Sequence, residues 1–232
     1  MARLPRLYAP GVTQLAKAEF MPSVPAALDS QCYRNLTRWL AEACSTHGIA
    51  LQGWSLTPGG IGLLATPSDA AGLSRAIQSL GRNLAASIRH GSVFVNRYRS
   101  TLLQPGAWVL PALVWLERAP LRENLVEDPD AWPWSSAQAH TGGVAVQPSW
   151  LASHVDYWAC GNTPFDRQAV YHQALLAGNP PSADARIAAA LRGQWVLGDA
   201  AFIDSIAGAA SRRLTPGARG RPRKAKPTAA PQ

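Results

Sequence analysis

The sequence predicts an α+β fold in which helices cover one face of a small antiparallel sheet. Three observations lead to this class. Two segments carry apolar residues at helical spacing, short segments of strand type flank them, and a turn joins two of those strands. The chain has 232 residues, of which 47% are hydrophobic, and this is enough for a sizeable core.

Four strand candidates follow one another along the chain. Residues 11–20 (GVTQLAKAEF) form the first, and residues 49–56 (IALQGWSL) and 61–66 (IGLLAT) form a hairpin around the turn TPGG. Residues 92–103 (SVFVNRYRSTLL) place alternate residues on opposite faces and predict the last strand.

Helices are predicted between these strands. Apolar residues recur every three or four positions in residues 27–48 and again in residues 69–90, where Ser68 is the expected N-cap. Residues 106–119 predict a third helix, interrupted by Pro111. The order strand, helix, hairpin, helix, strand, helix is that of a ferredoxin-like split βαβ unit.

Composition divides the chain into three parts. Residues 1–141 hold the sheet and its helices, and residues 142–211 hold three short helix candidates separated by Gly and Pro. Residues 212–232 are the third part, and after Leu214 they contain no aromatic side chain and no aliphatic one larger than alanine, apart from prolines. Such a segment cannot bury enough apolar surface to order itself, so a disordered tail is predicted.

Positive charge is concentrated in this tail. Seven of the 22 basic residues lie between Arg212 and Lys226 with no acid among them. The rest of the chain keeps 15 basic residues against 14 acids, a net charge of +1. A polycationic tail on a nearly neutral body indicates an acidic partner, most simply nucleic acid, and a solubilising tail without a partner is the alternative.

Other features narrow the class of protein. No apolar run approaches the ~18 residues of a membrane span, and no apolar stretch follows the basic N-terminus as in a signal peptide. Cys32, Cys44 and Cys160 fit neither a disulfide framework nor a zinc motif, so we expect a cytoplasmic protein. Five histidines are isolated in sequence and are expected at the surface or the core edge: His47, His90, His140, His154 and His172.

Several collinear segments resemble one family. They read MARLPRLYAPGV at the start, then GLSRAIQSLGR, RYRSTLL and RAPLRENLVEDPDAWPWSSAQAH, and finally LGDAAFIDSI and GRPRK. Together they resemble the REP-associated tyrosine transposases, which are single-tyrosine HUH transposases of insertion sequences. The resemblance implies that the body holds hairpin or single-stranded DNA against its sheet, usually as a homodimer.

The resemblance also implies a catalytic site at PGGIGLL. In that family the second hairpin strand carries His-hydrophobe-His, and the two imidazoles hold a divalent cation such as Mg²⁺ that polarises the scissile phosphate. Registering Pro58, Leu63 and Leu64 on the family pattern puts Gly60 and Gly62 at the histidine positions. Neither glycine supplies a ligand, so the metal site is expected to be lost.

The nucleophile position differs as well. The family's tyrosine precedes a stretch resembling Asn-Pro-Val, here residues 119–121, and the matching position is Trp115. An indole cannot form a phosphodiester, so we expect a catalytically silent, transposase-like DNA-binding protein. An active transposase with a rearranged site, a protein-interaction scaffold without nucleic acid, and the product of a decaying gene stay open as alternatives.

Four arginines are the candidate DNA contacts of the body. Arg82 and Arg89 are two turns apart on the second helix, and Arg97 and Arg99 are two positions apart on the last strand. Each pair is therefore expected to share a side. A solvated charged face is the alternative.

The tail offers a second candidate DNA contact. Arg219, Arg221, Arg223 and Lys224 lie in the string RGRPRK, which resembles the core of an AT-hook. Such a narrow cationic segment fits the minor groove of A·T-rich duplex DNA, and plain phosphate binding is the alternative.

Two more expectations concern a pair of tryptophans and a pair of glycines. Trp132 and Trp134 match the family's loop and either stack on bases or pin the loop to the core, the second being favoured. The backbone at Gly60 and Gly62 is expected to accept histidines, since glycines of a regular strand can usually take a side chain.

Overall fold

A computed structural model describes residues 5–144 and 147–216. Its sheet has four strands, β1 (Gln14–Glu19), β2 (Ile49–Thr57), β3 (Gly60–Pro67) and β4 (Arg99–Leu102). The strands lie in the order β2-β3-β1-β4, and each neighbouring pair is antiparallel. The α+β class is confirmed, and the strand order is that of the ferredoxin-like unit.

Helices make up most of the remaining regular structure. They are α1 (Ser30–Thr46), α2 (Gly72–Ser87), α3 (Val109–Glu117), α4 (Ala119–Arg122), α5 (Ala137–Thr141), α6 (Val155–Trp158), α7 (Pro164–Ala177), α8 (Pro181–Gly193) and α9 (Ala200–Ala207). Two short 3₁₀ turns span Pro25–Ala27 and Pro129–Ala131. In the part of the chain that is described, no helix is both long and apolar enough to cross a bilayer.

The two helices between the strands pack on one face of the sheet, as predicted. Leu36 and Leu40 of α1 and Leu80 of α2 are fully buried in one hydrophobic cluster with alternate sheet residues such as Ile61 and Leu63. The alternation follows from the strand period of two, which sends successive side chains to opposite faces. The apolar spacing of α1 and α2 therefore matches the face that they bury.

The opposite face of the sheet is covered by α3 and the C-terminal helices. Leu15 of β1 and Leu64 of β3 point to this side and pack with Leu113 and Leu116 of α3. Helices α7 and α8 join the same hydrophobic cluster. Packing therefore crosses the predicted boundary at residue 142, and the division into domains stays a prediction.

Two local predictions, one about the start of α2 and one about a break in the third helix, are wrong. Helix α2 begins at Gly72, too far along the chain for Ser68 to cap it, and its N-cap Ala71 has no side-chain hydrogen bond. Pro111 does not interrupt the third helix, because it is the third residue of α3. The amide of a first-turn residue has no intrahelical acceptor, so a proline costs nothing there.

The last strand is much shorter than predicted. Only residues 99–102 are paired as a strand, and Phe94 makes an isolated bridge to Phe20. The two phenyl rings stack with their centroids 5.6 Å apart. The Val95 N–H still donates to the Glu19 carbonyl, but residues 95–97 are exposed, so SVFVNRY does not form a continuous ladder with β1.

The predicted start of the tail at residue 212 is also wrong. Leu214 is buried with Leu7, Leu102 and Val196, and its carbonyl accepts the Val196 N–H. Arg212 stacks over the Trp195 ring at 4.9 Å. The string that carries Arg219, Arg221, Arg223 and Lys224 lies outside the described residues, so the tail prediction beyond residue 216 stays a prediction.

Candidate functional site

The three positions that the resemblance selects surround one small cavity. Gly60 and Gly62 on β3 and Trp115 on α3 all line a space of about 20 Å³ between the sheet and the helix. The same cavity is bordered by Lys17 of β1, which pairs with Gly62, and by Arg122 of α4. Residues more than 50 positions apart in sequence, predicted from the resemblance, thus line the same cavity.

Gly62 allows α3 to approach the sheet closely. A Cβ added at Gly62 would overlap Cδ1 of Leu116, and a Cβ added at Gly53 on the neighbouring strand would overlap Cδ1 of Leu113. Leu113 and Leu116 are one turn apart, so they rest on two adjacent glycines of the same sheet face. The helix fills the volume that a side chain at Gly62 would need.

Gly60 is a glycine for a different reason. Its φ of +139° lies in a region that L-residues rarely adopt, and a Cβ there would overlap the backbone carbonyl of Ala18. The neighbouring group is backbone on a central strand, which cannot turn aside as a side chain can. The expectation that both glycines accept histidines is therefore wrong at Gly60, because Gly60 opens β3 directly after the turn.

The side chains around the cavity do not fit a divalent cation. Its one carboxylate, Glu123, accepts hydrogen bonds from the Thr57 hydroxyl at 2.9 Å and the Gly59 amide at 3.0 Å, so both oxygens hold the hairpin turn. The other charged groups are the cations Lys17 and Arg122. Across the described ranges, no cluster of three or more His, Cys, Asp or Glu could bind a metal ion.

Trp115 is held in place by Arg122. The guanidinium lies 4.2 Å from the centre of the indole ring and donates to the Trp115 carbonyl at 2.5 Å. Burial lowers the pKa of Arg122 to about 10, so the group is still charged at neutral pH. This stacked pair closes the helix side of the cavity, and the described residues that line it include no tyrosine.

Two of the predicted DNA contacts meet in one groove between α2 and residues 91–98. Arg97 lines a depression of about 430 Å³, and Arg82 lines an adjoining one of about 310 Å³. The two depressions share Gln78, Ser92 and Phe94 as walls. We call this pair of depressions the arginine groove.

The other two predicted contacts are placed differently. Arg89 follows the end of α2 with a φ of +50°, so it is not on the helix with Arg82. Arg97 precedes β4, and Arg99 is its first residue, so the two do not share a strand face as predicted. Neither Arg89 nor Arg99 lines the arginine groove.

One further cation of the groove has no signal in the sequence. Arg6 lines the depression with Arg97 and stacks on the Tyr98 ring at 3.6 Å, while its Nη1 donates to the Tyr98 carbonyl. Partial burial lowers the pKa of Arg6 below its ordinary value. Only the fold brings this N-terminal residue to Tyr98, 92 positions away.

The sequence patterns gave no sign of a buried polar cluster around Glu117. The Glu117 carboxylate is inaccessible to solvent and accepts from His140 Nδ1 at 2.7 Å, Tyr171 at 2.6 Å and Ser136 at 2.5 Å. Burial and the neighbouring carboxylate raise the pKa of Tyr171 well above its ordinary value, so its hydroxyl keeps donating. His140 is thus a core residue, contrary to the prediction, and the cluster joins α3, α5 and α7.

The loop tryptophans divide between two roles. Trp132 donates its indole N–H to the Leu56 carbonyl at 2.8 Å and meets Tyr33 edge-on, so it pins the loop to the sheet. Trp134 stacks on Tyr33 with a centroid distance of 5.5 Å and also borders an open pocket.

The fold has a counterpart among solved structures. The structure of a REP-associated tyrosine transposase bound to a REP hairpin matches with a TM-score of 0.54 and 14% sequence identity, covering 67% of this chain and 93% of that one. No protein-family model matches the sequence, and a comparison with curated proteins gives no match. The likeness supports a distant structural relationship between this chain and that transposase.

Proposed function

We propose that this protein binds DNA through a transposase-like fold and does not cleave it. The observation that carries the proposal is the close packing at Gly60 and Gly62, which line a cavity of only about 20 Å³ together with Trp115. A strand-cleaving site of the family type needs two metal ligands on one strand face and a phenol opposite them. Here α3 rests on one of the two glycine positions, and the backbone at the other excludes a side chain.

DNA is the partner that the remaining features favour. The solved transposase with a similar fold is bound to a REP hairpin. In this chain, Arg82 and Arg97 line one groove, and Arg6 adds a third guanidinium at its end. Arginine suits phosphate contacts because its planar fork donates two parallel hydrogen bonds. We assign hairpin or single-stranded DNA to the arginine groove.

The C-terminal string supplies a separate contact. Residues 219–224 carry four positive charges, and the body has a net charge of only +1 by sequence. We assign A·T-rich duplex or phosphate binding to this string, so most of the salt-dependent affinity comes from the tail. A homodimer, which rests on the resemblance, and a cytoplasmic location, which rests on the sequence composition, belong to the same proposal.

Fluorescence anisotropy tests the proposal with labelled hairpin, single-stranded and duplex oligonucleotides over a salt series. The double variant Arg82→Ala/Arg97→Ala is expected to weaken hairpin binding and to lower the salt slope by up to about 2, one unit for each phosphate that is no longer neutralised. Arg192→Ala is the matched control, since Arg192 is exposed on α8 and borders neither depression of the groove. Equal weakening in the variant and the control would contradict the assigned interface.

A further inference from the structure

An open pocket lies at the edge of the sheet formed by β2. It has a volume of about 280 Å³ and lies between α1, β2 and the segments at residues 133–139 and 148–151. These segments are tied to β2 by an isolated bridge from Ser135 to Ser55 and another from Leu151 to Leu51. The pocket is therefore a built part of the fold, and we call it the tryptophan pocket.

Three indole rings form its walls. Trp54 is buried on β2, and Trp150 lies against it with a centroid distance of 5.9 Å. Trp134 is fixed from behind by Tyr33, whose ring is nearly parallel to it at 14°. Because other side chains hold these rings, an entering flat ring would find their positions set in advance, which reduces the ordering cost of binding.

Polar groups are few and suit a nucleotide. Arg34 is exposed at the mouth and uses Nε and Nη2 on the Gln31 side chain, so Nη1 has no partner within the described ranges. The Gln138 amide nitrogen donates to the Asp130 carbonyl, which leaves its Oε1 as an acceptor on the wall. The described residues that line the pocket include no carboxylate. It thus offers a cation for a phosphate, an acceptor for a base edge and ring faces for stacking.

We propose that the tryptophan pocket takes one unpaired base of a single-stranded DNA segment. Stacking on aromatic side chains together with a cation near the backbone is how proteins hold single strands, and every base has a ring face to offer. This inference rests on the proposed function and extends it to a second site. The pocket lies at the β2 edge, and the segment lining the arginine groove leads into β4 at the other edge, about 14 Å across the sheet.

The test compares three labelled ligands on the full chain by anisotropy: a blunt hairpin, the same hairpin with a four-nucleotide single-stranded extension, and that hairpin with an abasic extension. The extension with bases is expected to bind roughly 5- to 150-fold more tightly than the abasic one. Trp150→Leu is expected to remove this difference and to leave blunt-hairpin binding unchanged. Trp158→Ala is the matched control, because Trp158 is 54% exposed on α6 and lies outside the pocket.

Each outcome separates this proposal from the function on which it rests. Equal binding of the two extended hairpins overturns the pocket while hairpin binding stands, and so does a base effect that survives in Trp150→Leu. If the blunt hairpin fails to bind, hairpin binding by the arginine groove fails, and the free tetranucleotide with and without bases still decides the pocket. Arg34→Gln changes a surface residue, so it tests the pocket even if Trp150→Leu fails to fold. It is expected to weaken tetranucleotide binding. Quenching of indole fluorescence by a proline-rich peptide but not by the tetranucleotide would assign the pocket to peptide instead.

Discussion

Leu116 of α3 occupies the space into which a side chain at Gly62 would project. The contact couples the identity of a strand residue to the packing of the helix, since a side chain at Gly62 requires Leu116 to move. A side chain introduced at Gly62 must therefore displace the Leu116 side chain before it can enter the cavity.

The Gly62–Leu116 contact predicts a coupled pair of substitutions. Gly62→Ala is expected to destabilise the protein by about 1–3 kcal/mol through over-packing, and Leu116→Ala by about 2–5 kcal/mol through the cavity that it leaves. The double variant is expected to lose less free energy of unfolding than the two single variants lose together. The difference is expected to be about 1 kcal/mol or more, because the new methyl group enters the vacated space. Urea unfolding of the four proteins measures this.

Gly91→Ala is the control for that cycle, since a Cβ at Gly91 meets nothing within 4 Å. Its effect is expected to be small and independent of Leu116. Additive losses for Gly62→Ala and Leu116→Ala would contradict the close contact between β3 and α3.

Gly60 is predicted to respond differently from Gly62. Gly60→Ala is expected to cost more free energy of unfolding than Gly62→Ala, because it adds strain at a φ of +139° to overlap with the Ala18 carbonyl. Leu116→Ala is not expected to rescue it, because the obstacle is backbone. Thermal unfolding of Gly60→Ala with and without Leu116→Ala checks this, and a rescue equal to that at Gly62 would refute the distinction.

The sequence already singled out these two glycines, and physical chemistry explains why it could not separate them. Two glycines on one strand face are visible in GGIGLL, and the register of β3 puts both beside the cavity. The φ at Gly60 depends on how the hairpin turn enters the strand, and the fit at Gly62 depends on a helix residue 54 positions away. Both are tertiary effects, so the residue pattern raised the question without deciding it.

The burial of Leu214 predicts different outcomes for two C-terminal truncations. Removing residues 217–232 is expected to leave the melting temperature unchanged and to lower the salt slope of DNA binding by up to about 4, since five basic residues are removed. Removing residues 214–232 is expected to destabilise the fold as well, because Leu214 is buried with Leu7 and Leu102. Thermal melts and a salt series measure both. If removing residues 217–232 unfolded the protein, or left the salt slope of DNA binding unchanged, the assignment of these residues to DNA binding alone would be wrong.

Tyr33 predicts a loss of stability at alkaline pH. Burial, helped by nearby Glu123 and Cys32, raises the pKa of Tyr33 from 10.0 to about 12. The folded state therefore holds this proton more tightly than the unfolded state, so its contribution is complete below pH 10 and is lost as the pH rises to about 12. Over that pH range, the free energy of unfolding of Tyr33→Phe is expected to fall by about 1–2 kcal/mol less than that of the unsubstituted protein.

Urea unfolding between pH 8 and pH 12 makes this comparison, and the difference between the two proteins isolates one group from the other titrating side chains. Tyr8→Phe is the control, since Tyr8 is half-buried at the surface. Identical pH profiles for Tyr33→Phe and the unsubstituted protein would show that the Tyr33 hydroxyl is not shielded by the fold.

Local patterns predicted the fold well, and long-range pairings explain what they missed. The apolar spacing in α1 and α2 is a property of one segment and needs no partner to be recognised. Strand β4 is short because the pairing of this segment with β1 shifts register between Phe94, which is bridged to Phe20, and Arg99, which pairs with Lys17, and alternation alone cannot reveal such a shift. The Glu117 cluster draws on residues 117, 136, 140 and 171, so His140 had no local sign of its carboxylate partner.

Binding without cleavage is tested most directly by incubating the full chain with an end-labelled single-stranded hairpin DNA and Mn²⁺. One half of each reaction is run on a non-denaturing gel and the other half on a denaturing gel. We predict a shifted band that weakens as salt rises and, after denaturation, only the intact free oligonucleotide. A covalent protein–DNA band that survives denaturation, or the lack of any shifted band at low salt, would contradict it.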